Sequence, residues 1–179
     1  MVYMKKGLLI IFSGPSGVGK GTVRELFFDR EDLNLAYSIS MTTRKPREGE
    51  VDGKDYYFVS RERFEEAIAN DELLEHAEFV GNYYGTLISE VERLRNSGKN
   101  VLLEIEVQGA RQVIERVPDS LSIFLVPPSM EELARRIINR RTESQDVINE
   151  RLEKASKEMD LMNHYRYVIC NDDPQIAAD

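Results

Sequence analysis

One stretch near the N-terminus has the residue types and the spacing that bind phosphate. It reads Gly14-Pro15-Ser16-Gly17-Val18-Gly19-Lys20-Gly21-Thr22, between an apolar run at residues 8–12 and a segment of helical character at residues 23–29. Because glycine allows tight backbone turns, successive N–H groups can point at one phosphate group. The helix adds the positive end of its dipole, and Lys20 adds a mobile positive charge. The sequence therefore predicts a phosphate-binding loop between a strand and a helix.

The loop fits the Walker spacing Gly-x-x-x-x-Gly-Lys, with a departure directly after the lysine. Gly21 stands where a Ser or Thr is expected, and the hydroxyl group comes one position later, at Thr22. The sequence therefore assigns no definite side-chain ligand to Mg²⁺, and Thr22 is the one candidate. Mg²⁺ can instead be held mostly by water and by nucleotide phosphates, which it tolerates well.

The composition favours a single soluble globular domain. The chain has 179 residues, of which 41% are hydrophobic and 31% are charged. No apolar run approaches the roughly 20 residues that span a bilayer, and residues 1–6 lack the apolar core of a signal peptide. A net charge of −8 argues against nucleic-acid polymers and anionic membranes as partners. Since Cys170 is the single cysteine, we expect no disulfide framework and a cytoplasmic location. The oligomeric state stays open.

Apolar periodicity predicts strands and helices in alternation. The strands are expected at residues 7–13, 35–40, 56–59, 72–84 (as short strands), 100–107, 121–126 and 165–170. The helices are expected at residues 19–29, 61–70, 89–98, 108–117, 130–140 and 148–162. Ser89 with Glu92, and Ser129 with Glu132, have the spacing of a capping box.

This order of elements predicts an α/β fold with a mainly parallel sheet and helices on both faces. Residues from about 35 to 87 break the rhythm, because they are polar, rich in turn residues and of β character. We expect them to form an inserted subdomain. A ligand is expected beyond the carboxyl ends of the sheet strands, on the side that faces the insert.

Several blocks beyond the loop resemble the guanylate kinase family. They are residues 38–47 and 49–56, the run Gly81-Asn82-Tyr83-Tyr84-Gly85-Thr86, residues 103–109 and residues 171–173. With the phosphate loop they cover nearly the whole chain in the family's order. The resemblance implies the reaction ATP + GMP ⇌ ADP + GDP with Mg²⁺, and it leaves dGMP open as a second acceptor. It also implies a P-loop nucleoside monophosphate kinase fold, with a core (residues 1–35, 88–128 and 147–179), a GMP-binding subdomain (36–87) and a lid (129–146).

The GMP-binding residues implied by the resemblance make chemical sense. Guanine has two donors, N1–H and the 2-amino group, and one acceptor, O6. The resemblance implies Glu75 as the carboxylate that accepts from the donors, and Ser40 and Thr86 as hydroxyl partners. Adenine has an acceptor at N1 and should be rejected. The implied phosphate clamp consists of Arg44, Arg47, Tyr56 and Tyr84. Tyr83 is expected in the core.

Two carboxylates are expected on one face of a strand. Glu104 would lie near the centre of the strand at residues 100–107 and Glu106 near its carboxyl end, because alternate residues face the same side. The resemblance implies that they serve GMP and, through water, Mg²⁺.

The remaining site residues belong to the ATP side. The resemblance implies catalytic roles for Lys20, Arg44, Arg140 and Arg151. It implies contacts to ATP for Arg136 and Asn171, with Arg141 at a position where the family usually has glycine. Arg135 is expected on a solvated helix face with glutamate partners. No general base is required, since the acceptor is already an anionic phosphate oxygen.

Two other functions are weighed against this one. Another nucleoside monophosphate kinase, such as an adenylate kinase, shares the Gly-Lys-Gly-Thr run, but the set of Glu75, Ser40 and Thr86 argues against it. A guanylate-kinase-like interaction module without catalysis would typically have a degraded phosphate loop, whereas Lys20 and its glycines are intact.

Overall fold

The computed structural model describes residues 5–138 and 144–179. The strands are Leu9–Ser13 (β1), Leu35–Tyr37 (β2), Ser40–Thr42 (β3), Tyr57–Phe58 (β4), Leu73–Phe79 (β5), Asn82–Leu87 (β6), Asn100–Glu104 (β7), Leu121–Val126 (β8) and Tyr167–Cys170 (β9). The helices are Lys20–Phe27 (α1), Arg61–Ala69 (α2), Ile88–Asn96 (α3), Val107–Arg116 (α4), Met130–Ile138 (α5), Gln145–Met159 (α6) and Pro174–Ala178 (α7). In the described ranges, no helix has both the length and the apolar character needed to cross a membrane.

Contacts divide the chain into two compact units. The first contains Asn34–Leu103 and Gln108–Ser120 together with the start of the chain up to Ile10. The second contains Ile11–Leu33, Glu104–Val107 and Leu121–Asp179. The second unit holds the first group of candidate site residues described below, and the first unit holds the other two groups.

The expected parallel sheet is confirmed. It has five strands in the order β2-β7-β1-β8-β9, and the pairs β2·β7 and β8·β9 are both parallel. Leu35–Tyr37, which the sequence placed at the start of the insert, belongs to this sheet instead. The reason is that Ala36 aligns with Val101 of β7, so this short strand extends the parallel sheet before the polar segment begins.

The polar segment forms a second sheet, of four strands in the order β4-β3-β6-β5. Its apolar side packs on α2, where Met41, Phe64, Ala67 and Leu73 form a buried cluster. The Tyr83 ring stacks on Phe64 with 5.2 Å between ring centroids. The expectation that Tyr83 belongs to the core is thereby confirmed.

The two predicted capping boxes have different outcomes. The one at Ser89 is wrong, because β6 runs directly into α3, whose cap position is Leu87. The first N–H group of that helix, at Ile88, is satisfied by the carbonyl oxygen of Glu72 at 3.0 Å. In the second box, the Ser129 hydroxyl accepts from the N–H group of Glu132 at 3.1 Å, which confirms the serine half of the prediction. The Glu132 carboxylate pairs with Arg135 and Arg136.

The turn between β5 and β6 carries backbone strain that can be removed. Phe79 pairs with Asn82, so Val80-Gly81 is a two-residue turn, with φ of 49° and 74° at its central positions. These values are those of a type I′ turn, which favours Asn-Gly, whereas a β-branched residue at positive φ is strained by about 1–2 kcal/mol. We therefore expect Val80→Asn to raise the melting temperature by about 2–4 °C in a thermal melt. Val80→Ala is the matched control and should give a smaller increase; an equal or larger one would contradict strain at this turn.

Candidate functional site

The predicted phosphate loop joins β1 to α1, as the sequence indicates. Gly14 has φ +154°, and a Cβ atom on it would lie 2.5 Å from the carbonyl oxygen of Leu125. Gly19 has φ +95°, and a Cβ atom there would lie 2.8 Å from Nδ2 of Asn171. Both positions therefore require glycine for space as well as for backbone conformation. The loop, the helix and residues 11–13 of the strand belong to the second compact unit.

Lys20 is the first residue of α1, and its side chain folds back over the loop. Its Nζ atom donates to the carbonyl oxygen of Gly14 at 2.8 Å. Burial lowers the pKa of Lys20, while the carboxylates of Glu106, Glu104 and Glu158 oppose that shift. The loop thus holds a partly buried cation with acidic neighbours, and this positive charge is available to an anionic ligand.

The two carboxylates predicted on one strand lie differently from the prediction. Strand β7 ends at Glu104, and α4 begins at Val107, so Glu106 lies in the connection between them. Glu104 is therefore at the carboxyl end of the strand, where its Oε2 atom is 3.4 Å from Nε of Arg24. Glu106 is 68% exposed and receives a hydrogen bond from Lys154 at 3.0 Å. Apolar alternation continues through Ile105 and Val107, which is why the sequence pattern did not mark the end of the strand.

Arginine side chains of α5 and α6 form hydrogen bonds with the phosphate loop. Arg151 donates to Oγ of Ser16 at 3.0 Å. Arg136 donates to the carbonyl oxygens of Val18 at 3.2 Å and Asn171 at 3.0 Å, and its Nε atom binds Glu132 at 2.9 Å. The guanidinium group of Arg136 therefore serves the loop backbone in this structure.

Asn171 follows β9 and is almost completely buried. Its Nδ2 atom donates to the carbonyl oxygen of Val18 at 2.7 Å. Its Oδ1 atom is buried and has no hydrogen-bond partner among the residues that the structure describes. The side chain therefore supports the loop through its donor and keeps a free acceptor.

Some predicted residues of this group lie elsewhere. Arg140 and Arg141 fall outside the described residues. Thr22 is exposed in the first turn of α1. Arg135 is 70% exposed and pairs with Glu132, as the sequence indicates. We use the name phosphate-loop cluster for six residues in and around the loop: Ser16, Lys20, Glu104, Glu106, Arg151 and Glu158.

Sequence reasoning missed three charged members of these surroundings, namely Arg24, Lys154 and Glu158. Lys154 lies 3.6 Å from Oε1 of Glu158, and burial raises the pKa of Glu158. A signal was present in the spacing. Lys154 and Glu158 follow Arg151 by three and seven positions, and Arg24 follows Lys20 by four, so each set shares one helix face.

A second group of predicted residues forms a row across the four-stranded sheet of the first unit. Ser40 on β3 is opposite Thr86 on β6, which is opposite Glu75 on β5. Residues directly opposite each other in antiparallel pairs have side chains on the same face. We call these three residues the Glu75 row. The sequence predicted all three, and strand register brings them together.

Glu75 is the buried member of the row, with 7% of its surface exposed. The Thr86 hydroxyl donates to its Oε1 atom at 2.7 Å. Burial raises the pKa of Glu75, and the hydrogen bond from Thr86 opposes that shift. A Cβ atom on Gly109 of α4 would lie 2.6 Å from Oε2 of Glu75, so only glycine leaves room for the carboxylate there.

A third group surrounds the predicted arginine of the polar loop. Arg44 makes two hydrogen bonds to the Glu50 carboxylate, at 3.0 and 2.8 Å, and its guanidinium lies 5.3 Å from the centre of the Tyr56 ring. The Tyr84 ring is 6.2 Å from that of Tyr56. The side chain of Arg47 is exposed, and its N–H group donates to Glu50 at 2.7 Å. We call Arg44, Glu50, Tyr56 and Tyr84 the Arg44 cluster.

The role of Glu50 was not predicted, although it is the main partner of Arg44. Hydrogen bonds from Arg44 and from the Arg47 N–H group lower the pKa of Glu50 to about 2. Glu50 in turn raises the pKa of Arg44. The carboxylate holds the guanidinium beside the tyrosines through two parallel hydrogen bonds.

Comparison with known proteins gives consistent matches. The family model described as "Guanylate kinase" matches residues 6–178. A guanylate kinase of Bacillus cereus (strain ZK / E33L) is 59% identical over 98% of this chain and 85% of its own length. One from Lactococcus lactis is 58% identical over the same shares. The solved structure of guanylate kinase from Anaplasma phagocytophilum is 38% identical and has a TM-score of 0.69, covering 98% of this chain and 82% of that chain.

Proposed function

Because the chain belongs to the guanylate kinase family, we infer that it transfers the γ-phosphoryl group of ATP to GMP and yields ADP and GDP. The observation that carries this inference is the Glu75 row, in which a buried carboxylate and two hydroxyl side chains lie side by side. A phosphate loop alone would fit many nucleotide-binding proteins. The Glu75 row is the feature that favours guanine as the base of the acceptor nucleotide.

The Glu75 row suits the edge of guanine that carries its donors. An ionised carboxylate accepts hydrogen bonds only, so Glu75 can take N1–H and the 2-amino group. The Ser40 hydroxyl can donate to O6, and the Thr86 hydroxyl can do so when its hydrogen turns from Glu75 to the base. Adenine would present a lone pair at N1 to the same carboxylate. Since the carboxylate is buried, that mismatch would leave a charged group without its partners, which is costly.

The Arg44 cluster suits the phosphate group of GMP. Arg44 carries a planar fork that can bind two phosphate oxygens, and Tyr56 and Tyr84 bring hydroxyl donors nearby. We propose that Arg47 joins them. Glu50 holds Arg44 beside the Tyr56 ring in the free protein, so the guanidinium is oriented before the anion binds.

The phosphate-loop cluster is the proposed ATP site. The backbone N–H groups of residues 14–19 would bind phosphate oxygens, and Lys20 would follow the transferring group with its charge. Arg151, bound to Ser16 of the loop, and Arg140 are proposed to supply further positive charge where negative charge develops. Asn171 offers a free acceptor, Oδ1, for the 6-amino group of adenine.

Mg²⁺ is the proposed cofactor. Glu104 and Glu106 lie near Lys20 and provide carboxylate oxygens, the ligand type that this cation takes directly or through water. Thr22 offers a hydroxyl in the first turn of α1. When bound with ATP, the cation neutralises charge on the phosphate groups. We further propose that the protein works in the cytoplasm, in keeping with its single cysteine.

The test is a coupled assay of ADP release with Mg-ATP and each of GMP, dGMP, AMP, CMP and UMP, with a reaction lacking acceptor as the blank. We expect turnover with the guanine nucleotides and at least about 10²-fold lower kcat/KM with AMP. Equal turnover with AMP would keep the phosphate loop and remove the role proposed for Glu75. An absence of turnover with every acceptor, in folded protein, would refute the proposed reaction.

A further inference from the structure

Strand β5, which carries Glu75, is an edge strand of the four-stranded sheet. One of its sides therefore lacks a neighbouring strand to pair its N–H and C=O groups. Its pairing with β6 is also irregular, since the register shifts between Leu73 and Glu75. A carboxylate on such a strand needs additional support if its position is to be fixed.

Helix α4 provides that support from one face. Gly109, Gln112 and Arg116 are spaced by three and four residues, so they lie along the same side of the helix. Arg116 donates to the carbonyl oxygen of Leu73 at 3.0 Å, on one side of the register shift. Gln112 contacts His76 on the other side. The two contacts therefore bracket the irregular part of β5.

The contact made by Gln112 replaces a missing strand. Its Oε1 atom accepts from the N–H group of His76 at 3.1 Å, and its Nε2 atom donates to the carbonyl oxygen of the same residue at 3.0 Å. A primary amide has one acceptor and one donor side by side, so it can bind both backbone groups as a strand neighbour would. His76 directly follows Glu75, and the Glu75 carboxylate lies against Gly109 of the same helix.

From this geometry we propose that Gln112 is a positioning residue for guanine recognition, which acts by fixing the backbone of β5 next to Glu75. The proposal rests on the proposed function, in which Glu75 accepts the donors of guanine. Hydrogen bonds to a base depend on the placement of the acceptor within a few tenths of an ångström, so loss of the clamp should weaken GMP binding while ATP binding is unaffected.

The first experiment measures KM for GMP and for ATP in Gln112→Ala. Loss of two backbone hydrogen bonds that position the acceptor should raise KM for GMP by about tenfold, with KM for ATP changed by less than about twofold. Arg111→Ala is the matched control on the same helix, since Arg111 is exposed and pairs with Glu115, one turn further along α4. Equal increases in both KM values, or none, would contradict a positioning role.

A double-mutant cycle separates this role from general damage. If Gln112 acts through Glu75, Gln112→Ala should add little to the effect of Glu75→Gln on kcat/KM for GMP, because the acceptor that it positions is already altered. Additive effects would overturn the proposal.

Hydrogen exchange gives a readout independent of activity, in which Gln112→Ala should speed exchange of the His76 amide while the amides of β3 stay protected. If the wild-type protein does not use GMP, the proposed function is refuted. Failure of the proposed function can thus be told apart from failure of the positioning role of Gln112.

Discussion

Replacing Lys20 by Met should remove nearly all phosphoryl transfer without lowering the melting temperature of the free protein. In the proposed reaction, Lys20 carries charge at the transferring phosphate, and removal of one such preorganised group typically costs about 10²–10³-fold in kcat. Loss of activity with an unchanged melting temperature is what distinguishes this prediction, because a variant that damages the fold would lose activity and stability together.

The effect on stability follows from the surroundings of Lys20. Burial lowers its pKa below the ordinary value of 10.5, so the protonated side chain is less favoured in the folded chain than in the unfolded one. Below the folded pKa both states are protonated, and the folded state bears that cost. As pH rises through the lowered folded pKa, the cost is relieved, so the wild type should gain stability relative to Lys20→Met.

The measurement is kcat with Mg-ATP and GMP, together with thermal melts of both proteins at neutral and alkaline pH. Lys157→Met is the matched control, because Lys157 is an exposed lysine paired with Glu153 on α6. We expect unchanged turnover for the control. Normal turnover in Lys20→Met would remove Lys20 from the phosphate site, and a large drop in its melting temperature at neutral pH would contradict the cost of burying its charge.

Local patterns predicted the phosphate loop and most elements around it. The glycines and Lys20 lie within one short stretch of the chain, so their chemistry can be read without knowledge of the fold. The end of β7 was not readable in this way. Ile105 and Val107 continue the apolar run, although Val107 belongs to α4, and so Glu106 was placed on the strand when it lies beyond it.

Contacts between distant parts of the chain could not be predicted from local pattern. The family resemblance supplied Ser40, Thr86 and Glu75, but only the register of three strands places them in one row. The pairing of Arg44 with Glu50 depends on the path of a polar loop, and the clamp between Gln112 and His76 depends on how α4 packs along β5. Turn residues and amide side chains have many possible partners, so their types alone leave these contacts open.

Replacing Glu75 by Gln should lower kcat/KM for GMP by at least about 10²-fold, because the amide presents a donor where guanine also presents donors. KM for ATP should stay within about twofold of the wild-type value. Glu78→Gln is the matched control, since Glu78 is an exposed carboxylate on the same strand. A Glu75→Gln variant that keeps full activity with GMP would remove Glu75 from base recognition.

The pH dependence of the same pair of proteins tests the charge of Glu75 directly. Burial raises its pKa above the ordinary value of 4.5, so the carboxylate of the free enzyme protonates at a higher pH than an exposed glutamate would. As pH falls through that raised pKa, binding of guanine should weaken because the protonated group loses an acceptor. The GMP phosphate titrates near pH 6 as well, but that change is common to both proteins. We therefore expect kcat/KM of the wild type to show a fall at acid pH that Glu75→Gln does not show, and we assign that fall to protonation of Glu75. Identical pH profiles of the two proteins would mean that ionisation of Glu75 does not control binding.

The same raised pKa predicts the effect of Glu75→Gln on the free protein. Between the unfolded and folded pKa values the folded chain binds more protons than the unfolded chain, so the wild type loses stability as pH rises through this window. Above this window the ionised carboxylate is a cost to the fold, which Gln does not carry. Glu75→Gln should therefore melt no lower than the wild type at pH values above the folded pKa and lose this advantage below it. A buried charge that disfavours folding, yet matches the donors of guanine, is what a site selected for binding rather than for stability would contain.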